Sequence, residues 1–225
     1  MWHRVGFIFL ALLALSLGFA SIVGLRAWWV ARHPISFTPT SSTFQFAPPE
    51  HAMVGHLTWV AGDVTKLPRD STVSAQLALG DQILVGETVT TSAGTASLEL
   101  APGSVATLSA NSELVYSAGL PTSLLLVQNQ GTIDYTSVGD NPLSIRSWHA
   151  LIAVKNGTAR LSLFPVTHLA RLSSLGGVVE VAMIDKNNQT NLFTLLPTQT
   201  VMINDLARTL TLLKPAPTKK IVRTR

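Results

Sequence analysis

Cysteine is absent from the 225 residues, which excludes a disulfide framework, a thiolate nucleophile and iron–sulfur ligation. It leaves the compartment open, because an oxidising space permits disulfides without requiring them. Charge is scarce as well. Only 12% of residues are Asp, Glu, Lys or Arg, about half the share usual in soluble domains. No G-x-S-x-G elbow, P-loop or G-x-G-x-x-G occurs, so the common signatures of acyl-transfer, nucleoside-triphosphate and dinucleotide chemistry are missing. The six histidines, at 3, 33, 51, 56, 149 and 168, form no H-x-x-x-H or H-E-x-x-H pair, and their spacing suits surface residues better than zinc ligands. No paired carboxylates suggest a glycosidase. The acids Asp63, Asp81, Asp140, Asp185 and Asp205 mostly neighbour Gly or Asn, and this places them in turns bonding local N–H groups. The run from Asp185 resembles the start of a calcium loop. However, Thr190 stands where the sixth-position glycine is needed and Leu196 where the twelfth-position glutamate is needed. No catalytic residue, metal ligand or cofactor is therefore expected.

The net charge of +4 is unevenly spread. Residues 1–32 hold three arginines and no acid, and residues 214–225 hold five basic residues and no acid, so residues 33–213 carry eight basic residues against twelve acids. A nucleic-acid reader carries its basic residues on a folded face, and nucleic acid is not expected as a partner.

What is present begins with an uncharged run between Arg4 and Arg26. Residues 5–25 as a helix measure roughly 31 Å, matching a hydrocarbon core of about 30 Å. Trp2 at one boundary and Trp28 and Trp29 at the other supply amphipathic rings at headgroup depth. The expected organisation is a short tail (1–4), a transmembrane anchor (5–25), a Pro/Ser/Thr-rich spacer (26–53), an all-β domain (54–213) and a basic disordered tail (214–225). The alternative for the first segment is a cleaved signal peptide, with Gly18 and Ala20 as small residues near the cleavage point. Trp2, Arg4, Arg26, Trp28 and Trp29 are the expected membrane-interface anchors, and the lipid bilayer is the first expected partner. Within the spacer, Phe44 and Phe46 alternate enough for a short edge strand.

From Gly55 onward, short apolar runs at period two alternate with turn residues. They include Ile83–Val85, Thr88–Thr90, Ala96–Leu100, Val105–Leu108, Leu124–Val127, Leu151–Val154, Ala159–Leu163 and Val178–Ile184. This pattern predicts a sandwich or roll of about a dozen short strands. Pro102-Gly103 suits the centre of a type II turn and Asn156-Gly157 a type I′ hairpin turn. Trp59 and Trp148 are the two tryptophans of the domain; both suit core packing, and the functional reading is an exposed platform for a sugar or peptidoglycan strand.

The order of these motifs resembles a FecR-type domain. Gly80-Asp81, Gly94, and Gly103-Ser104 fall where such domains place their opening glycine turns, and Gly131, Gly157-Thr158 and Gly177 where they place the later ones. The resemblance implies an extracytoplasmic all-β domain behind a single membrane helix. FecR-type relays also carry a cytoplasmic segment that handles a sigma factor, and here residues 1–4 alone would lie on that side. The expected function is therefore binding or scaffolding at the cell envelope, with an envelope polymer or another membrane protein as partner. One alternative is a signalling component whose partner docks through the membrane helix. A second is an envelope hydrolase with an unrecognised site, and a convergent His–carboxylate cluster in a concave pocket would favour it.

Overall fold

The computed structural model describes residues 52–213 apart from 121, 140 and 141. The chain divides between Phe46 and Ala47, and all described residues belong to the second unit. The anchor 5–25, nearly all of the spacer, the tail 214–225 and the interface residues Trp2, Arg4, Arg26, Trp28 and Trp29 lie outside the described residues. Within them the fold is all-β, with the 3-10 turn Pro165–Thr167 as the one helical element.

Fifteen strands form one continuous hydrogen-bonded sheet: β1 (Gly55–Ala61), β2 (Val64–Leu67), β3 (Ala75–Gln76), β4 (Gln82–Ile83), β5 (Thr88–Thr91), β6 (Thr95–Ala101), β7 (Ser104–Leu108), β8 (Ser112–Leu120), β9 (Ser123–Ser137), β10 (Leu143–Ser147), β11 (Ala150–Phe164), β12 (Leu169–Ile184), β13 (Thr190–Leu195), β14 (Thr200–Asn204) and β15 (Thr209–Leu213). The sheet is folded over on itself. One layer runs β4-β1-β6-β7-β9-β11-β12-β14-β15, and the other runs β3-β2-β5-β8-β9-β10-β11-β12-β13. Strands β9, β11 and β12 appear in both because each is long enough to bend from one layer into the other.

The expected dozen short strands therefore needs correction. Leu124–Val127 and Ile133–Tyr135 are two arms of β9, and the runs on either side of Asn156-Gly157 are two arms of β11. Burial shows what happens at the bends. In β9 the inward residues are Leu124, Leu126 and Gln128, then Ile133, Tyr135 and Ser137. In β11 they are Ala150, Ile152 and Val154, then Ala159, Leu161 and Leu163. In β12 they are Ala170, Leu172 and Ser174, then Val179, Val181 and Met183. Each strand switches from even to odd positions midway. A one-residue shift sends every later side chain to the other face, and here that shift keeps the apolar face inward as the strand changes layer. The device is a β-bulge, marked by register breaks around Lys155 and Thr158 and between Glu113 and Leu114.

Nine layer crossings lie wholly among the described residues, and a tenth joins β9 to β10. Four lie at one end of the sandwich, here called the upper end: Gly62-Asp63, Ser92–Gly94, Ser109–Asn111 and Gln128–Thr132. Four lie at the lower end, Leu84–Glu87, Lys155–Thr158, Ser174–Val178 and Leu196–Gln199, and the ninth, Leu77–Asp81, leads from β3 to β4 along the open side. Eight of the nine contain a residue with positive φ: Gly62, Gly80, Gly86, Asn111, Gly131, Asn156, Gly177 and Thr198. Backbone bonds stitch neighbouring crossings together, with Ser92 N donating to Asp63 O, Asn111 N to Ser92 O and Thr198 N to Ser174 O. The crossings of the N-terminal half thus gather mainly at the upper end and those of the C-terminal half at the lower end.

One apolar core fills the space between the layers, with Leu98, Leu108, Leu126, Ile133, Ile145, Val154, Leu161, Leu172, Val181 and Val201 essentially inaccessible. One group of buried polar side chains lies at the β9 bulge. Gln128 Nε2 donates to Gly131 O at 2.9 Å and Leu161 O at 3.2 Å, while Tyr135 Oη donates to Gln128 Oε1 at 2.9 Å. A bulge turns backbone carbonyls away from their ladder partners, and a buried carbonyl left unpaired is costly. Gln128 bonds one carbonyl of the bulge, that of Gly131, and one of the neighbouring strand β11, that of Leu161. Burial pushes the Tyr135 hydroxyl well above the usual tyrosine range.

Candidate functional site

The family-motif positions do not converge. Gly80 and Asp81 form the turn before β4, where Asp81 Oδ2 accepts from Ala78 N at 2.8 Å. Gly94 sits in an upper-end crossing, packed so closely that a Cβ would lie 2.7 Å from the Ala61 carbonyl. Gly103 has φ +76, as the type II turn of Pro102-Gly103 requires, and Ser104 opens β7. Gly131, Gly157, Thr158 and Gly177 are not in turns between strands. They lie inside β9, β11 and β12, at the bulges. The type I′ hairpin expected at Asn156-Gly157 is replaced by a bulge because both geometries ask for the same thing, a residue tolerant of positive φ. Gly157 and Gly177 also allow β11 and β12 to touch: a Cβ on Gly157 would collide with the Gly176 carbonyl, and one on Gly177 with the Asn156 carbonyl.

The two tryptophans are apart. Trp59 lies on β1, 49% exposed, at a bulge opposite Ser97. Trp148 lies in the two-residue loop between β10 and β11 with φ +48, half-buried against the core, its ring 6.0 Å from that of His168. They form no shared platform. Below Trp59, at the lower end, an open groove of about 320 Å³ runs between Met53, His56, Glu99 and Pro102.

The polar side chains that do converge were not selected by sequence motif. At the upper end of the C-terminal half, four turns meet: Trp148-His149, Pro165–His168, Asp185–Gln189 and Asp205–Arg208. His149 Nδ1 lies 2.7 Å from Asp205 Oδ1, and the His149 backbone N–H donates to the same oxygen at 3.3 Å. Arg208 Nη2 lies 3.3 Å from His149 Nε2 and Arg208 Nη1 donates to Asp185 O at 3.0 Å. Guanidinium has donors only, so His149 Nε2 accepts from it and the ring proton sits on Nδ1, facing Asp205. Asp205 N donates to His168 O and Ile184 N to His149 O. Every link joins one layer to the other or one turn to the next. The Asp185 carboxylate accepts from Gln189 N, Asn187 N and Asn191 Nδ2; these bonds, then the Arg208 charge, hold it below the usual aspartate range. Its contribution to stability is present at and above the ordinary aspartate pKa and is lost as pH falls through the lowered one.

Asp205 therefore departs from the expectation that the turn acids bond only local N–H groups, whereas Asp81 and Asp185 follow it. Its partner is 56 residues away, a distance no local pattern reports. Among the described residues no group of three or more His, Asp and Glu side chains is placed to hold a metal ion.

At the lower end of the N-terminal half a neutral latch stands beside an ion pair, in which Lys66 Nζ lies 3.3 Å from the buried Glu87 carboxylate. Met53 N donates to Gly119 O at 2.6 Å and Tyr116 Oη donates to Met53 O at 3.0 Å. Burial pushes the Tyr116 hydroxyl up to about 12.

No protein-family model matches the chain, and no curated protein matches it. Among solved structures, two crystal structures of a "putative anti-sigma factor" from Parabacteroides distasonis are similar at 20% identity and a TM-score of 0.48, covering 55% and 56% of this chain. The chain spans less than two thirds of their length, 57% and 58%.

Proposed function

We propose that the folded-over sheet is a rigid binding or scaffolding module, tethered to a bilayer by residues 5–25 and displayed outside the cytoplasm. The observation that carries this reading is the use made of the most reactive-looking side chains. The His149–Asp205 pair has the composition of a general-base dyad, but Arg208 occupies the imidazole nitrogen that would receive a substrate proton. The dyad is spent on holding two layers together. Large apolar side chains meanwhile stand on the surface, with Leu192 78% and Leu212 54% exposed, and exposed apolar patches mark interaction surfaces.

Signalling through a membrane-embedded partner is the second reading, favoured by the FecR-type order of glycine positions from Gly80 to Gly177. Capture experiments on the full chain separate the two. Retention of envelope polysaccharide by the β domain supports the binding reading. Capture of another membrane protein, abolished by replacing residues 5–25 with an unrelated apolar helix, supports signalling. Protease treatment of intact cells, with any outer membrane made permeable, tests the location: cleavage within 54–213 is expected, and full protection until the inner membrane is breached contradicts it.

A further inference from the structure

Among the described residues the folded sheet has four edge strands, and they are treated differently. In the N-terminal half the edges β3 and β4 are two residues long, and very short edge strands are one of the ways proteins avoid pairing with other chains. In the C-terminal half the edges are β13, six residues, and β15, five residues. Each is bonded to a single neighbour, β12 and β14 respectively.

Strand β13 has none of the usual protections. Thr190, Asn191, Leu192, Phe193, Thr194 and Leu195 include no charge and no proline, and five of the six are exposed. Leu192 lies opposite Ala182, which lies opposite Leu151, so an apolar row crosses β11, β12 and β13 on the outer face and ends at the open edge. Phe193 faces the inner side, opposite buried Val181, yet remains 38% exposed because nothing among the described residues lies beyond it.

We propose that β13 is the interface through which two copies of this chain associate, pairing antiparallel about a two-fold axis at Leu192. The register follows from the faces. Side chains directly opposite in an antiparallel pair share a face, so a two-fold axis must pass through a residue and not between two. Centred on Leu192, the pairing sets Thr190 against the copy's Thr194, Asn191 against Phe193, and Leu192 against itself. The outer row becomes continuous from one copy's Leu151 to the other's, Phe193 gains cover on the inner side, and no like charges meet along the strand. The other long edge is poorer for a second copy. Its outward side chains Thr209 and Thr211 lie opposite Asn204 and Met202, so no apolar row reaches that edge.

Sedimentation of the full chain in detergent tests this, since the 24.1 kDa protein mass doubles on association. The wild type is expected to sediment as two copies. Leu192→Lys and Leu192→Glu are each expected to sediment as one, with the β-sheet circular dichroism of the folded domain retained because the side chain is on the surface. Mixing the two variants should restore the doubled mass, an outcome that requires the two 192 positions to face one another. Leu192→Cys adds a second readout in a chain with no cysteine: it should form an intermolecular disulfide, whereas Leu206→Cys, exposed on the β14–β15 turn, should not. A monomeric wild type, a dimer indifferent to both charges, equal cross-linking at 192 and 206, or a monomer that instead takes up a foreign extended peptide along β13 would each overturn the proposal.

Discussion

The two halves of the molecule solve the same problem with different chemistry. Each must bend a sheet over an apolar core and then close the end opposite the bend. The N-terminal half bends mainly at the upper end and ties the lower end with a neutral latch, the Tyr116 hydroxyl and the Met53 and Gly119 backbone, beside the Lys66–Glu87 ion pair. The C-terminal half bends at the lower end and closes the upper end with His149, Asp205 and Arg208. The bends rest on backbone geometry and the closures on side chains. The neutral closure should therefore be indifferent to salt and mild acid, while the charged one should not.

Four predictions probe that difference, from the largest effect to the smallest. Gln128→Leu removes the side-chain donor to the Gly131 and Leu161 carbonyls and the acceptor for the buried Tyr135 hydroxyl. Buried polar groups left unpaired cost about 1–3 kcal/mol each, so urea unfolding should show a loss of roughly 2–4 kcal/mol. Asp205→Ala unties the charged closure and should cost about 1–2 kcal/mol, with a smaller loss in high salt than in low. Tyr116→Phe unties the neutral one and should cost about 1 kcal/mol, independent of salt. If the two variants respond alike to salt, the contrast between the halves fails.

The third prediction uses alkali. The chain has two tyrosines, Tyr116 and Tyr135, and both are buried. Unfolded tyrosine ionises near 10, while folded Tyr116 holds its proton to about 12. The stability from keeping it neutral is complete below 10 and falls as pH rises towards 12. Tyrosinate absorbance should therefore appear together with loss of structure, and not before it. The smallest effect is expected at Ser147 and Ser174, whose buried hydroxyls find no partner. Replacing either with Ala should leave stability unchanged or slightly raised, read by thermal melting.

Much of the fold was legible because alternation is a local property. The apolar runs from Ile83 onward fall in β4 to β15, the Pro102-Gly103 turn has its positive φ, and the Asp185 loop closes on its own carboxylate. The first strands were harder to see. In β1 the bulge between Leu57 and Trp59 breaks the alternation, and β2 and β3 are too short to show one. The bent strands were misread as separate ones because Asn156-Gly157 and Gly176-Gly177 look the same whether they end a strand or let it cross layers. The His149–Asp205–Arg208 cluster left no local trace, since its members sit on turns brought together by the folding over of the sheet. Asn and Gly reported where the chain could bend, but not which layer it would enter next.

The central claim is that the bulges, with their positive φ and direct backbone contact, are what let the sheet fold over. The adjacent glycines Gly176 and Gly177 offer the most direct test, by urea denaturation of two single variants. Gly177 has φ +71 and its missing Cβ would meet the Asn156 carbonyl; Gly176 has open space around it and no positive φ. Gly177→Ala should cost about 2–4 kcal/mol through strain and collision. Gly176→Ala should stay within about 0.5 kcal/mol of wild type or stabilise the fold slightly by restricting the unfolded chain. Equal effects at the two positions would contradict the account.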